Sequence, residues 1–252
     1  MVYATYPNLA DKRVLITGGG TGIGAALVEA FAAQGAQVCF IDIVDEASRE
    51  LASSLGAAKH PPRFFHCDLT DLDALAQVMA TIESECGAVE IMVNNAANDH
   101  RHEVKEVTQK YWDESMAVNL RHQFFCAQAV VAGMRANGGG VIVNLGSISW
   151  HLALPNLVLY QTCKAAIEGM TRALARDLGR DNIRVSCVVP GNIKTPRQDK
   201  WYTPADEAEI VAAQCLNHRL VPDDVAALVT FLASADARAI TGHEHFVDAG
   251  WR

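Results

Sequence analysis

RVLITGGGTGIGAALVEAFAAQGAQVCFID, residues 13–42, reads as a strand, a glycine-rich turn, a helix and a second strand. Val14, Leu15 and Ile16 form the short, β-branched-rich run that suits a buried strand. From 23 to 34 the apolar residues return at helical spacing, and AQVCFID (36–42) is again short and apolar. Such a unit opens a parallel α/β sheet, because parallel neighbours need a crossover that a helix supplies. The glycines between strand and helix then have a physical role. Backbone N–H groups and the positive end of the helix can receive a pyrophosphate where no side chain intervenes. Gly18, Thr21, Gly22, Ile23 and Gly24 are the candidate contacts. A glycine cluster alone is an ordinary tight turn; the flanking strand and helix give it meaning.

Working outward, Asp42 closes the second strand eighteen residues after Gly24. A carboxylate there can accept hydrogen bonds from both hydroxyls of an adenosine ribose, and it would repel a 2′-phosphate. No Lys or Arg occurs from Val14 through Asp45 to attract one, so the expected cofactor is NAD. Asp68, in CDLTD after the third strand, suits either the adenine amino group or a helix cap, and Leu69 beside it joins the cofactor set.

The alternation continues. Further strands are expected at 63–68, 89–96, 140–147, 183–191 and 244–250, with helices at 23–34, 45–55, 71–85, 108–136, 157–179 and 222–234. The fold class is α/β: a single Rossmann-type domain over 1–252, with a doubly wound, seven-stranded parallel sheet flanked by helices. Only 192–220 breaks the pattern. It mixes Pro196, Pro204, Trp201 and Tyr202 with charges before another short helix, as expected of a segment that covers a site.

Composition narrows the class of partner. Of 252 residues, 50% are apolar, enough for a sizeable core, and the formal charge of −8 argues against a nucleic-acid partner. Seven cysteines stand singly, without a Cys-x-x-Cys pair or metal-ligand spacing, so no metal and reduced thiols are expected. No apolar run approaches the ~18 residues that span a bilayer, and no leader pattern opens the chain. The expected location is the cytoplasm, with no membrane partner.

Tyr160 and Lys164, four residues apart in a helical stretch, share one helix face. A lysine cation lowers the pKa of a neighbouring phenol from about 10, which makes a general base accessible nearer neutrality. Ser147 lies thirteen residues earlier at a strand end, where open α/β sheets place ligands, and its hydroxyl can orient a reacting oxygen. Asn119, a poor helix former inside a helical stretch, is suited to bond backbone and hold water beside Lys164. Around them the chain offers a polar and aromatic set: Asn98, Ser149, His151, Asn192 and Trp201. These suit a polyhydroxylated molecule better than a steroid or an acyl chain, whose pocket is aliphatic.

Thr17 to Gly24, Asn94-Asn95-Ala96, Asn119, Ser147, Tyr160, Lys164 and Pro190-Gly191 together resemble the short-chain dehydrogenase/reductase family, over essentially the whole chain. The resemblance implies a catalytic tetrad of Asn119, Ser147, Tyr160 and Lys164, with Tyr160 and Lys164 also touching the cofactor. It implies that Asn95 and Ala96 support the nicotinamide side, and that Ile193 and Thr195 meet the carboxamide. Ala97 departs from the family, which usually has glycine there. The strings GSISWHL, NLRH, VVPGNIKT, KWYTP, VAAQC and DAGWR are similar to the bacterial sugar 1-dehydrogenases of the family. That implies NAD-dependent oxidation of an aldose at C1 to the aldonolactone, with D-xylose favoured and L-arabinose, D-galactose or L-fucose as alternatives. Two rivals remain: a reductase or dehydrogenase of another small alcohol or ketone, including an acyl-carrier ketone, and a non-catalytic dinucleotide sensor. The resemblance also implies a homotetramer built on the long helices, and Trp251 and Arg252 are expected to pack across a subunit boundary or near a neighbour's site.

Overall fold

The computed structural model describes residues 4–196, 198 and 202–252. Seven strands form one parallel sheet in the order β3-β2-β1-β4-β5-β6-β7. They are β1 (Arg13–Thr17), β2 (Gln37–Asp42), β3 (Arg63–His66), β4 (Ile91–Asn94), β5 (Gly140–Leu145), β6 (Ile183–Pro190) and β7 (Glu244–Val247). The helices are α1 (Gly22–Ala33), α2 (Asp45–Ser54), α3 (Leu72–Cys86), α4 (Gln109–Met116), α5 (His122–Ala136), α6 (Val158–Leu178), α7 (Pro204–Ala212) and α8 (Pro222–Ala233). Two apolar cores fill the faces. One packs α1 and α8 on the sheet through Leu27, Phe31, Val225 and Val229. The other packs α3 and α5 through Leu75, Ile82, Cys126 and Met134.

Chain order reverses between β1 and β4, and this is where a doubly wound sheet opens a crevice at its carboxyl edge. Several strands end earlier than their apolar runs suggest. β4 stops at Asn94 and β5 at Leu145, so Asn95, Ala96 and Ser147 lie in turns beyond the ladder, free of its pairing.

The helical stretch 108–136 is one rod with a defect. Ala117–Arg121 forms a π-helical turn between α4 and α5, and Asn119 sits in its middle. Single π turns inside α-helices leave backbone groups off the regular ladder and often mark functional sites. Here the turn buries Asn119 to 1% exposure. Inside the half of the sheet beyond that reversal, Asn94 Nδ2 on β4 donates to Asn144 Oδ1 on β5 at 2.9 Å, and Asn144 Nδ2 donates to Thr171 Oγ1 on α6 at 2.9 Å. These buried amides register β4 on β5 and β5 on α6.

Gly24 lies where α1 crosses the turn after β1, and a Cβ there would collide with the Gly18 carbonyl oxygen. Gly24→Ala is expected to destabilise the fold by about 1–3 kcal/mol through overpacking and to weaken dinucleotide binding. Gly179→Ala, where a Cβ meets nothing within 4 Å, is expected to be neutral or slightly stabilising. Denaturant melts and cofactor titration of the two variants check the contrast.

Candidate active site

At the crevice, the ends of β1 and β4 are stitched together. Thr17 Oγ1 accepts the N–H groups of Asn95 at 3.0 Å and Ala96 at 3.2 Å. Asn95 Nδ2 donates to the carbonyls of Thr17 at 3.0 Å and Gly18 at 2.9 Å. Gly18 has φ +65°, and a Cβ on it would stand 2.8 Å from Ala96 Cα, so only glycine fits. Asn95 therefore braces the turn with its side chain. Thr21 precedes α1 in extended backbone without a side-chain cap, leaving the first-turn N–H groups of Gly22, Ile23 and Gly24 aimed outward. Thr195 reaches the same turn: a Cβ on Gly22 would lie 3.4 Å from its Cγ2. Ile193 is buried and forms a β-bridge with Leu220.

Asp42 lies beside the turn. Its Oδ2 accepts the Gly20 N–H at 2.8 Å and its Oδ1 accepts the Val44 N–H at 2.9 Å, so the carboxylate is oriented while each oxygen keeps accepting capacity. Arg49, the nearest cation along the chain, is paired with Asp45 at 3.3 Å and stacked over Phe64. Asp68 Oδ1 accepts from the Thr70 N–H and hydroxyl, whereas Asp71 caps α3. Asp68 is thus a turn residue at an exposed edge, and Leu69 turns its side chain into the core, leaving its backbone for any ligand. An uncapped helix start, glycines without room for Cβ atoms and an oriented carboxylate at the ribose position fit a dinucleotide.

Toward β5 and α6 lie Lys164 and Tyr160 on one helix, Ser147 just beyond the end of β5, and Asn119 in the π turn that packs against α6. Lys164, 1% exposed, donates from Nζ to the Leu145 carbonyl at 2.7 Å, and Nζ stands 5.4 Å from the centre of the Tyr160 ring. Burial pushes the ammonium down from 10.5 to about 8, opposed by Cys187, Cys163 and Asp99. Half-buried Tyr160 lies one helical turn before it. The start of α6 is held by His102, whose Nε2 accepts the Leu159 N–H at 3.4 Å while its Nδ1 meets the Tyr111 hydroxyl at 3.2 Å. Ser147 Oγ donates to Ser149 Oγ at 3.0 Å and accepts the Ser149 N–H at 3.2 Å. Asn119 Nδ2 donates to the Ser115 carbonyl at 3.1 Å, and its Oδ1 accepts the Asn98 N–H at 2.8 Å. The π turn is thereby tied to the loop after β4. A phenol beside a buried cation and a hydroxyl at the strand end can remove a proton from an alcohol and orient its oxygen.

Residues 18–252 match the family model described as enoyl-(acyl carrier protein) reductase. Over all 252 residues of both chains the protein is 61% identical to D-xylose 1-dehydrogenase of Caulobacter vibrioides. The chain belongs to the short-chain dehydrogenase/reductase family. A Rhizobium meliloti protein described as a probable galactose dehydrogenase is 45% identical over 247 residues, covering 97% of this chain and 96% of its own. Among solved structures, a blue fluorescent protein from a metagenomic library, in complex with NADPH, superposes with a TM-score of 0.89 at 35% identity. It covers 97% of this chain and 99% of its own. As a short-chain dehydrogenase/reductase with this Rossmann fold, the protein is an oxidoreductase that binds a nicotinamide dinucleotide. Where the family usually carries glycine, Ala97 is exposed and keeps negative φ, so its methyl group crowds nothing in the loop.

The expected sugar-binding set fares differently. His151 is locked: its Nε2 meets Glu168 Oε1 at 2.9 Å and its Nδ1 meets Arg252 Nη1 at 2.6 Å. Both ring nitrogens are engaged, so His151 supports the loop after β5 instead of presenting a free donor. Ser149, 5% exposed, serves Ser147 in the same way. Asn98 is exposed at the mouth, its N–H taken by Asn119, and Asn192 is held by Arg219 and Tyr202. Trp201 lies outside the described residues. Within the chain, Arg252 lies over Phe246 at 4.0 Å and Trp251 packs against the Ile148–Ile167 cluster. Glu168, which also accepts from Trp150 Nε1 at 2.9 Å, carried no sequence signal that marked it for this role.

Because Lys164 titrates near 8 when folded and near 10.5 when unfolded, the unfolded chain holds the extra proton between those values. Stability from this group therefore rises with pH across that window. Lys164→Met is expected to gain most over the parent chain below pH 8 and to lose that advantage by about pH 10. A pH-independent penalty for the orphaned Leu145 carbonyl, about 1–3 kcal/mol, offsets the whole difference. Denaturant melts at several pH values read it; a stability difference constant with pH would refute the buried-cation assignment.

Proposed function

We propose that the protein oxidises the anomeric C1 of a cyclic aldose to the aldonolactone with NAD, D-xylose being the favoured substrate. The carrying observation is the full-length 61% identity to D-xylose 1-dehydrogenase, supported by Tyr160 beside buried Lys164 on α6, which is bonded to the end of β5 two residues before Ser147. Ser147 Oγ and the Tyr160 phenol oxygen hold the C1 hydroxyl. Tyr160 removes its proton as the C1–H bond breaks, and the anomeric carbon becomes the lactone carbonyl. A bound oxidised nicotinamide would supply the acceptor for the hydride that leaves C1. Lys164 binds the nicotinamide ribose and stabilises the Tyr160 phenolate, while Asn119 holds a water that passes the proton outward. Gly18, Thr21, Gly22, Ile23 and Gly24 receive the phosphates, Asp42 the adenosine ribose, Asp68 and Leu69 the adenine, and Asn95, Ala96, Ile193 and Thr195 line the nicotinamide side.

Asp42 supports NAD over NADP, since a 2′-phosphate would meet an oriented carboxylate and Arg49 is already paired with Asp45. The polar residues around Ser147 disfavour the acyl-chain reading that the family description suggests. We also assign the chain to the cytoplasm, on its seven free thiols, and to a homotetramer. The exposed Trp112, Phe124 and Val158 on α4, α5 and α6, and Gly169 on α6, where a Cβ would meet nothing, support helix contact between subunits.

NADH formation against D-xylose, L-arabinose, D-galactose, L-fucose, D-glucose and simple secondary alcohols tests the reading. Strong NAD-dependent turnover of one aldose is expected, rising with pH because proton removal needs phenolate. Tyr160→Phe is expected to lose about 100-fold or more in kcat, and Asp42→Ala to narrow the preference for NAD over NADP. Activity confined to non-sugar alcohols, or near-normal turnover by Tyr160→Phe, would overturn it.

A further inference from the structure

Arg219 precedes α8 in a loop with no motif of its own, yet its guanidinium makes four hydrogen bonds. Nε donates to Glu207 Oε2 on α7 at 2.6 Å, and Nη1 to the Asn192 carbonyl at 3.0 Å. Nη2 donates to Asn192 Oδ1 at 3.1 Å and to Gln198 Oε1 at 3.3 Å. The side chain is only 12% exposed and Glu207 21%, so the ion pair is shielded and its partners are held in fixed geometry. A guanidinium holds five donors in a rigid fork, whereas an ammonium has three on a single freely rotating centre, so the fork is better suited to fix four acceptors on three separate pieces of chain.

The consequence falls on Asn192, just beyond the carboxyl end of β6. With Oδ1 facing the cation, its amide has one orientation, and Nδ2 points away, donating to the Tyr202 hydroxyl at 3.2 Å. Nδ2 keeps a second hydrogen for a hydroxyl acceptor. The neighbouring Ile193 is held by other means: it bridges Leu220, and the Lys194 N–H donates to the Leu220 carbonyl at 2.8 Å. That backbone bridge does not need the guanidinium. Arg219 thus orders Asn192, Gln198 and Glu207, while Ile193 and Lys194 are braced by the β-bridge.

We propose that Arg219 is a positioning residue for the sugar, clasping α7 and Gln198 to Asn192 so that the Asn192 amide and the Tyr202 hydroxyl stand preoriented at the substrate site. The proposal rests on the aldose reading above. It makes a residue far from Tyr160 in sequence a determinant of substrate affinity, without contact to the reacting atoms.

Arg219→Met keeps the apolar stem and removes the fork. It is expected to raise the sugar KM about tenfold or more, with kcat and the NAD dissociation constant changed by less than about threefold. Arg219→Lys should fall between the two, and added guanidinium ion should lower the sugar KM of Arg219→Ala but not of the parent chain. A sugar KM unchanged in Arg219→Met overturns the proposal alone. So does a joint loss of sugar affinity, cofactor affinity and melting temperature that neither lysine nor guanidinium relieves. A parent chain that oxidises no aldose overturns the substrate reading and this proposal with it.

Discussion

A buried ammonium bonded to the last carbonyl of β5 organises this molecule. Lys164 is 1% exposed, and a cation so placed is tolerated only where an acceptor receives it. The Leu145 carbonyl does so at 2.7 Å, just where the strand ladder ends. That bond pins α6 to the end of β5, two residues before Ser147, and Tyr160 lies one turn earlier on the same helix. Burial also brings the ammonium near the pH at which it can change charge, which is the property a proton-handling site requires.

Support for that geometry comes from polar side chains turned inward. The π turn lets Asn119 bridge the Ser115 carbonyl and the Asn98 N–H. His102 receives an N–H at the start of α6, and Glu168 gathers Trp150 and His151 beneath the loop after β5. Each satisfies a donor or acceptor that burial would otherwise leave unpaired. A polar residue beside the site therefore holds the loops that shape it more often than it faces the substrate. Arg219 extends the same logic to the segment after β6, where four charge-assisted bonds replace a hydrophobic core that a short covering helix is too small to build.

Much of this was legible beforehand. The short continuous apolar runs and the period-3.6 stretches placed all seven strands and most helices within a few residues, because a parallel sheet covered on both faces demands continuous apolar strands. Gly18 and Gly24 were legible because the close approach they permit admits no other residue. Tyr160 and Lys164 were legible because four-residue spacing on a helix is itself a statement about space. The long stretch 108–136 read as one helix, since a π turn adds a residue without altering composition.

By itself, then, the sequence determined the order of elements, the parallel sheet, the glycine turn, the place of the Asp42 carboxylate and the four candidate catalytic residues. All depend on local spacing or on residues whose backbone or charge has few alternatives. The tertiary structure alone decided which polar side chains were already engaged: His151 by Glu168 and Arg252, Ser149 by Ser147, Asn192 by Arg219. Hydrogen-bond partners lie up to 101 positions apart along the chain, and a residue's type states what it can bond but not what the fold brings within reach.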